Sequence, residues 1–249
     1  MMRVLWRSAA LIALLAAGLL ILFTVYRFLL KPRQARIKQA WSRLLLRVCG
    51  LRVRTLSDPH VHLEQPALIV LNHVSWLDIF VVNAAVPATF VAKSEIRSWP
   101  ILGWLVSGTG TIFVERGSRH AVRHTNRQIL RRLAQGEHVA FFPEGTTTDG
   151  AMLLPFHASL FAVALPDGDH SNQGVVIMPA ALRYTQRGKF STIPAYVGDQ
   201  TLVNSIMKIL AAKGLEAHLH WLDPLPSAES GMTRQQLAQR AEAVIRESL

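Results

Sequence analysis

Residues 67–78 read ALIVLNHVSWLD, and this stretch decides the type of fold that the chain can form. Five consecutive apolar residues, Ala67 to Leu71, predict a short strand that is buried on both faces. Asn72 and His73 end the apolar run and predict a loop, after which a helix begins. The stretch therefore predicts a strand–loop–helix unit with polar residues at the point where the strand ends.

Similar short apolar runs recur along the rest of the chain, at 89–92, 111–114, 138–142, 175–179 and near 215–221. Helical patterns lie between or after these runs, at 118–135, 156–165, 201–212 and 233–249. Because strands alternate with helices, we predict an α/β domain with a mixed, largely parallel sheet flanked by helices.

The formal net charge is +11, but the positive charge is not spread evenly over the chain. Residues 1–54 contain eleven Lys and Arg and no Asp or Glu, whereas residues 55–249 contain sixteen of each sign. A neutral domain does not fit nucleic-acid binding, which depends on a basic surface. We therefore divide the chain into a basic N-terminal segment, 1–54, and a domain of residues 55–249, and we expect no nucleic-acid partner.

The N-terminal segment contains an uncharged apolar run at residues 9–26. At ~1.5 Å per residue, a helix of this length spans roughly 27 Å, close to the ~30 Å hydrocarbon core of a bilayer. A cleaved signal peptide is the alternative, but its small residues at 16–18 lie inside the run. We predict a membrane-anchoring helix, with the domain on the cytoplasmic face of the inner membrane because basic residues are denser after the run. A half-inserted helix stays open, since the run is barely long enough.

Residues 33–47 place apolar side chains at helical spacing beside several Lys and Arg. Two interpretations stay open: a helix that lies on an anionic bilayer, or an amphipathic helix that covers the core of the domain. The single cysteine, Cys49, allows no internal disulfide and fits a reducing compartment.

His73 and Asp78 are five positions apart, so on one continuous helix their side chains would point about 140° away from each other. If the helix begins after His73, the Asp78 side chain can lean back toward the helix N-terminus and reach the imidazole. The carboxylate would then orient the ring while the other ring nitrogen takes a proton, which is the arrangement of a general base. A capping histidine and a first-turn aspartate favoured by the helix dipole explain the same spacing.

Three further segments end predicted strands with residues suited to a binding site. Residues 110–116, GTIFVER, end in Arg116, and residues 141–146, FFPEGT, combine a proline stop with a glycine that permits close backbone approach. Residues 175–179, VVIMP, end in Pro179. Each segment is common by itself, but their order and spacing after the Asn-His-x-Ser-x-x-Asp run are specific.

With these segments, the chain resembles the glycerolipid acyltransferase family, typified by 1-acylglycerol-3-phosphate O-acyltransferase, over roughly residues 65–185. The resemblance implies that His73 and Asp78 form the catalytic pair. It also implies that the strand ending at Pro179 lies on the acyl-donor side. Residues expected to bind the acceptor and its phosphate are Lys93, Arg116, Glu144, Gly145 and Thr146.

The resemblance further implies a membrane enzyme that moves a fatty acyl chain from acyl carrier protein or coenzyme A to the free hydroxyl of a lysolipid, with no cofactor. The expected acceptor is 1-acyl-sn-glycerol-3-phosphate. Many family members carry Arg-Ser after the Phe-Pro-Glu-Gly-Thr block, whereas this chain has Thr147 and Thr148, so a lyso-ornithine lipid is the alternative acceptor. A more distant alternative is a lipid hydrolase or thioesterase, against which the lack of a Gly-x-Ser-x-Gly motif argues.

Two secondary patterns allow more than one interpretation. A basic stripe at helical spacing predicts either a solvated helix face or a docking surface for an acidic acyl carrier protein or anionic head groups; it comprises Arg116, Arg119, Arg123, Arg127 and Arg131. Two histidine pairs, His60 with His62 and His218 with His220, are each spaced to share a strand face. We predict no metal site, because no third ligand accompanies either pair.

Overall fold

The structure is a computed structural model that describes residues 2–57, 63, 65–99, 101–114, 119–165, 175–225 and 232–249. Its α-helices are α1 (Met2–Thr24), α2 (Lys31–Cys49), α3 (Asp78–Ala85), α4 (Leu102–Gly108), α5 (Arg119–Ala134), α6 (Leu202–Ala211) and α7 (Arg234–Ser248). Short 3-10 helices occupy Tyr26–Phe28, Ser94–Ser98 and Ala158–Ala164. The strands are β1 (Leu51–Leu56), β2 (Ala67–Leu71), β3 (Ala88–Lys93), β4 (Ile112–Val114), β5 (His138–Phe141), β6 (Val176–Gln186), β7 (Lys189–Phe190) and β8 (Leu215–Trp221).

One eight-stranded sheet organises the chain, in the order β1-β8-β6-β2-β5-β3-β4, with β7 paired to β6. Five of its pairings are parallel, whereas β6 pairs with β8 and with β7 in the antiparallel sense. The predicted mixed, largely parallel sheet is confirmed. All five residues of β2 are buried, as the uninterrupted apolar run indicated.

Helices cover both faces of the sheet and create two cores. On one face, α2 and α3 pack together, and the buried side chains come from α1, α2, α3 and α6. On the other face, the core is formed by α5, the 3-10 helix at Ala158–Ala164 and α7. Helix α1 forms the outermost layer of the first face, where it contacts α2, α4 and α6.

The predicted end of the strand at Pro179 was wrong, because β6 continues to Gln186. A proline inside a sheet needs a place where its missing N–H is not required. The carbonyl of Pro179 accepts from the Leu222 amide at 3.1 Å, so the nitrogen of the same residue faces the irregular segment 222–225 and not a regular strand. The regular pairing with β8 begins one residue later, at Ala180.

Helix α2 covers the first core, which is the second of the two interpretations for residues 33–47. Its Leu45, Leu46 and Cys49 are buried, whereas Leu44 is exposed. Strand β1 follows directly at Leu51 and pairs with β8, so the division expected after residue 54 falls inside a strand of the sheet.

Candidate active site

The candidate site lies at the edge of the sheet where the parallel strands end. Strand β2 ends at Leu71 and delivers His73, while the neighbouring strand β5 ends at Phe141 and delivers the segment from Phe142 to Thr148. Helix α3 begins at Asp78 itself, so the aspartate occupies the first helical position. A carboxylate there is favoured by the positive end of the helix dipole.

Asp78 is completely buried, and its carboxylate accepts four hydrogen bonds. One oxygen, Oδ2, contacts His73 Nδ1 at 2.8 Å and also accepts from the amides of Val74 at 2.7 Å and Ser75 at 2.9 Å. The other oxygen, Oδ1, accepts from the hydroxyl of Tyr184 at 2.7 Å. The side chain thus reaches back from the helix start to the imidazole, as the spacing of the two residues suggested. A buried carboxylate with this many donors has a fixed position.

His73 is held through both its side chain and its backbone. It stacks on the Phe142 ring with the centroids 3.8 Å apart and the planes 9° from parallel. Its backbone amide donates to Glu144 Oε1 at 2.7 Å, and its carbonyl accepts from the Thr148 amide at 2.8 Å. The side chain is 19% exposed, and Nε2 has no hydrogen-bond partner within the described part of the chain. This nitrogen is therefore available to a substrate.

Glu144, expected to bind the acceptor, has both carboxylate oxygens bonded to the protein backbone. One oxygen accepts from the His73 amide and the other from the Leu154 amide at 2.9 Å, and the residue is buried. Burial raises the pKa of Glu144, although the two amide hydrogen bonds and His73 act in the opposite direction. In this arrangement Glu144 connects the loop that carries His73 to the chain near residue 154 and positions His73.

The residues after Glu144 form a turn that closes over the histidine loop. Gly145 adopts a left-handed conformation with φ of 67°, and its amide donates to the Phe142 carbonyl at 3.1 Å. Thr146 is exposed at this turn. The hydroxyl of Thr147 donates to the Tyr196 carbonyl, and Thr148 bonds to the carbonyl of His73. Thr147 and Thr148 therefore act on the backbone of the site.

The remaining predicted residues are distributed around the sheet. Lys93 is the last residue of β3 and lies at the same edge as His73. Pro179 lies in β6 opposite Val70 of β2. Arg116 falls outside the described residues, and so do His60 and His62. Of the second histidine pair, His218 contacts the Thr185 hydroxyl at 2.9 Å.

Sequence reasoning missed two residues that support the pair. Tyr184 is fully buried in β6, and burial together with the Asp78 carboxylate raises its pKa well above the usual value, so its hydroxyl stays a donor. The buried amide of Asn72 exchanges two hydrogen bonds with the backbone of Leu182, at 2.8 and 2.9 Å. In the sequence, the only indication of a role for either residue was its polar group in or next to an apolar run.

An apolar cavity of about 150 Å³ lies beside the site, on the face covered by α1 and α2. Phe90 in its wall stacks on Phe142, which in turn stacks on His73. Lys38 is the only charged side chain in the described lining; its Nζ donates to the Ala88 carbonyl at 2.9 Å, and burial lowers its pKa to about 8. Helices α1, α2, α3, α4 and α6 and strand β3 all contribute to the lining.

Chemically, the pair can act as a base on a hydroxyl group. The Asp78 carboxylate, already anchored by three other donors, accepts a hydrogen bond from Nδ1–H and leaves Nε2 as the proton acceptor. The pair is linked to the cavity through Phe142, which stacks on His73 and also on Phe90 of the cavity wall.

Comparison with known proteins identifies this arrangement. The family described as Acyltransferase matches residues 52–183, which include β1 except its first residue, β2 to β5, the His73–Asp78 pair and most of β6. The solved structure of the 1-acyl-sn-glycerophosphate (LPA) acyltransferase PlsC from Thermotoga maritima shares the fold, with a TM-score of 0.65 over 97% of this chain and 95% of that chain, at 19% identity.

Two curated relatives match at higher identity. The lyso-ornithine lipid O-acyltransferase of Pseudomonas aeruginosa is 35% identical over 254 residues, which cover 100% of this chain and 94% of that protein. The 1-acyl-sn-glycerol-3-phosphate acyltransferase of Neisseria meningitidis is 38% identical over 182 residues, which cover 73% of this chain and 68% of that protein. The chain therefore belongs to the acyltransferase family.

Proposed function

We propose that the chain transfers a fatty acyl group from a thioester, either acyl carrier protein or coenzyme A, to the free hydroxyl of a lysolipid. One observation carries this proposal: the 2.8 Å contact between His73 Nδ1 and the buried Asp78 carboxylate leaves Nε2 accessible. The names of the relatives support a lysolipid as the acceptor.

The mechanism needs no nucleophile from the protein. His73 Nε2 removes the proton from the lysolipid hydroxyl as that oxygen attacks the thioester carbonyl, and an O–C bond forms. The tetrahedral intermediate collapses with cleavage of the C–S bond, and the imidazolium returns the proton to the departing thiolate. Asp78 stabilises the imidazolium between these steps. The hydroxyl of Ser75 accepts from the Leu77 amide at 3.2 Å, which supports a capping role and not an acyl-enzyme role.

The apolar cavity is the proposed site for the acyl chain. An acyl chain is apolar along its length, and the lining of the cavity is apolar apart from a few polar groups such as Lys38 and Ser42. Trp76 and Ile79, which lie on either side of Leu77 and Asp78, belong to the lining, so a chain in the cavity would have its reacting end close to the catalytic pair.

Two acceptors are candidates, and different residues favour them. Lys93 supplies a cation at the catalytic edge and supports 1-acyl-sn-glycerol-3-phosphate, whose product is phosphatidic acid. Thr147 and Thr148 supply no charge and are engaged with backbone carbonyls, which supports the lyso-ornithine lipid. The full-length match to a lyso-ornithine lipid O-acyltransferase supports the second candidate as well.

Membrane association is proposed to occur through α1 lying along the domain. By length and composition, α1 is the one described helix that is apolar enough to cross a bilayer. Near its start, Arg3 donates to the Ala211 carbonyl at 2.8 Å, and near its end Phe23 packs on Trp104 with centroids 6.4 Å apart. Contacts at both ends with the same domain support insertion of α1 into one leaflet.

The part of the surface that would enter the bilayer is here named the membrane face. It consists of exposed apolar side chains on three adjacent helices. Together these side chains expose more apolar surface than the single apolar residues that are scattered over an ordinary protein surface. Its members are Leu5, Ile12, Leu20 and Phe23 of α1, Trp104 of α4, and Val203 and Met207 of α6. The inner membrane and its cytoplasmic surface are the proposed location, in keeping with the basic residues that follow α1.

An acceptor panel tests the reaction. The purified chain is given a labelled acyl thioester with either lysophosphatidic acid or lyso-ornithine lipid, and products are read by mass spectrometry. We expect a diacylated product from one acceptor with at least about tenfold preference over the other. If free fatty acid is the only product while acceptor is present, the chain is a hydrolase and the proposal is wrong.

The role of His73 is tested by His73→Ala. Loss of a positioned general base is expected to lower kcat by about 10³-fold, with the fold retained because the imidazole is partly exposed and stacked on one side only. The control is His220→Ala on β8. Full activity of His73→Ala, with an unchanged thermal unfolding curve, would exclude the mechanism.

A further inference from the structure

Helix α5 carries an exposed row of positive charge, here named the arginine row: Arg123, Arg127 and Arg131. Residues four apart share one helix face, and the row extends for about 12 Å at ~1.5 Å per residue. The helix contains no Asp or Glu, and within the described residues none of these three side chains forms a salt bridge. Arg132, by contrast, is bonded to Glu137 at 3.1 Å. In the described part of the chain, therefore, no acidic side chain neutralises the row.

The position of the row separates it from the lipid surface. The side chains of Ile129 and Leu133 fix α5 on the core of the second sheet face, whereas α1 forms the outer layer of the first face. The arginine row consequently points away from the membrane face and toward water. If the membrane face enters a bilayer, the anionic head groups of that bilayer lie on the opposite side of the sheet from the arginine row.

The row is also connected to the catalytic edge. Strands β4, β3, β5 and β2 are parallel neighbours, so β4 ends at the same edge as the strand that delivers His73. Helix α5 follows β4 in the chain and therefore begins near this edge and runs back along the sheet. Three strand spacings of about 4.8 Å separate β4 from β2, or about 14 Å. A ligand bound along the row would need a flexible extension of that order to bring its thioester to His73.

We propose that the arginine row is the docking surface for an acidic, water-soluble carrier protein that presents the acyl group on a flexible thioester arm. The inference rests on the proposed function and specifies its donor. Three arginines spread over about 12 Å of an exposed helix face suit the acidic surface of a protein. Opposite charge on the partner would both orient the complex and speed its formation.

The test compares two donors that carry the same acyl chain, one on acyl carrier protein and one on coenzyme A. In Arg123→Glu/Arg127→Glu, kcat/KM for the carrier-bound donor is expected to fall at least about tenfold, and for the coenzyme A donor to stay within about twofold. The neutral pair Arg123→Gln/Arg127→Gln should lose an intermediate amount. The matched control is Arg234→Glu/Arg240→Glu on α7, which makes the same charge change on the same sheet face and should leave both donors unaffected.

Several results would overturn the proposal. Equal losses with both donors would mean that the row supports the site itself, and unchanged rates with both would mean that it has no role. Loss of binding to vesicles rich in anionic lipid, with carrier-bound rates intact, would assign the row to head groups. Nucleic-acid binding that disappears in the variant would assign it to a polyanion of another class.

A direct binding measurement separates this proposal from the proposed function. Fluorescently labelled acyl carrier protein is titrated with the full chain in detergent, and anisotropy is read at low and high salt. The wild type is expected to bind at low salt and release the carrier as salt rises, while Arg123→Glu/Arg127→Glu shows no binding. If the wild type transfers no acyl group from either donor, the proposed function fails while this measurement still decides the docking surface. Wild-type binding that the variant retains would contradict the docking surface alone.

Discussion

Tyr184 shows how one buried hydroxyl can determine the properties of a catalytic pair. It donates to the Asp78 oxygen that does not contact His73 and so balances the charge of a carboxylate without access to water. In Tyr184→Phe this oxygen loses the one donor that it has among the described residues, and the more negative carboxylate favours the protonated imidazole. We expect the acid limb of the pH–rate profile to move to higher pH and kcat at neutral pH to fall about three- to tenfold. Tyr196→Phe is the control; a drop in activity without a shift in the profile would indicate a structural role only.

The two backbone hydrogen bonds that Glu144 accepts can be tested with a single substitution. Glutamine keeps the shape of the side chain but has one acceptor oxygen, so in Glu144→Gln either the His73 amide or the Leu154 amide faces an NH₂ group. We expect a loss of about 1–3 kcal/mol in the free energy of unfolding and a lower kcat, with KM for the acceptor nearly unchanged. If Glu144 instead binds the acceptor, the variant should raise KM and leave unfolding unaffected.

The sequence predicted the contact between His73 and Asp78 but not the residues that support it. The spacing of His73 and Asp78 was informative because a helix start can bring i and i+5 together, and the structure has that start. Tyr184 could not be predicted, since it approaches Asp78 from a strand more than a hundred residues later in the chain. The same holds for Thr147, whose hydroxyl reaches Tyr196 through a contact that sequence spacing does not reveal.

Among the elements, helix α2 is tied to the sheet by a cluster of charges at the edge opposite the catalytic pair. Glu137 bonds to Arg132 and Thr89, and Lys31 of α2 reaches it at 2.9 Å. Burial acts to raise the pKa of Glu137, but hydrogen bonds from Lys31 and Thr89 and the charge of Arg132 outweigh it and lower the pKa to about 2. The cluster joins the N-terminal helices to the strands β3 and β5.

Glu137→Gln tests this connection by its pH dependence. A carboxyl whose pKa is lower in the folded state stabilises the fold above its unfolded pKa of about 4.5, and this stabilisation disappears as the pH falls toward 2. We expect the variant to lose about 1–2 kcal/mol at neutral pH, since Lys31 is more than half exposed and contributes little, and to show a flatter decline below pH 4.5. The control is Glu247→Gln at the end of α7. Parallel curves for the variant and the wild type would contradict the role of the cluster.

Helices and strands were predicted correctly where the hydrophobic pattern alone determines them. The prediction failed where contacts with distant parts of the chain determine the structure. The predicted runs at 67–71 and 215–221 coincide with β2 and β8. The segment 156–165, predicted as a helix, forms only a 3-10 helix at Ala158–Ala164, in keeping with the prolines at 155 and 166 that flank a short run. Strand β1 was missed because its Arg52 and Arg54 interrupt the apolar pattern, and pairing with β8 makes it a strand.

At the scale of the whole molecule, the position of α1 distinguishes two ways of binding a bilayer. A spanning helix puts its two ends on opposite sides of the membrane, whereas a helix within one leaflet keeps both on the same side. We expect the second arrangement. In a Cys49→Ala background, Met2→Cys and Arg33→Cys should react with a hydrophilic maleimide from the same side of sealed vesicles. Reaction from opposite sides would show a spanning helix.

The contacts of Arg3 and Arg7 with the end of α6 also bear on how the protein is made. These arginines donate to the carbonyls of residues 210–212, so α1 gains its contacts with α6 only when most of the chain has been synthesised. Strand β1 likewise cannot form its pairing until β8 has been synthesised. Before α6 is made, α1 can pack only on α2 and α4, and its outer apolar side chains stay exposed. The cavity takes lining residues from both α1 and α6, so it is completed only when α6 has been synthesised.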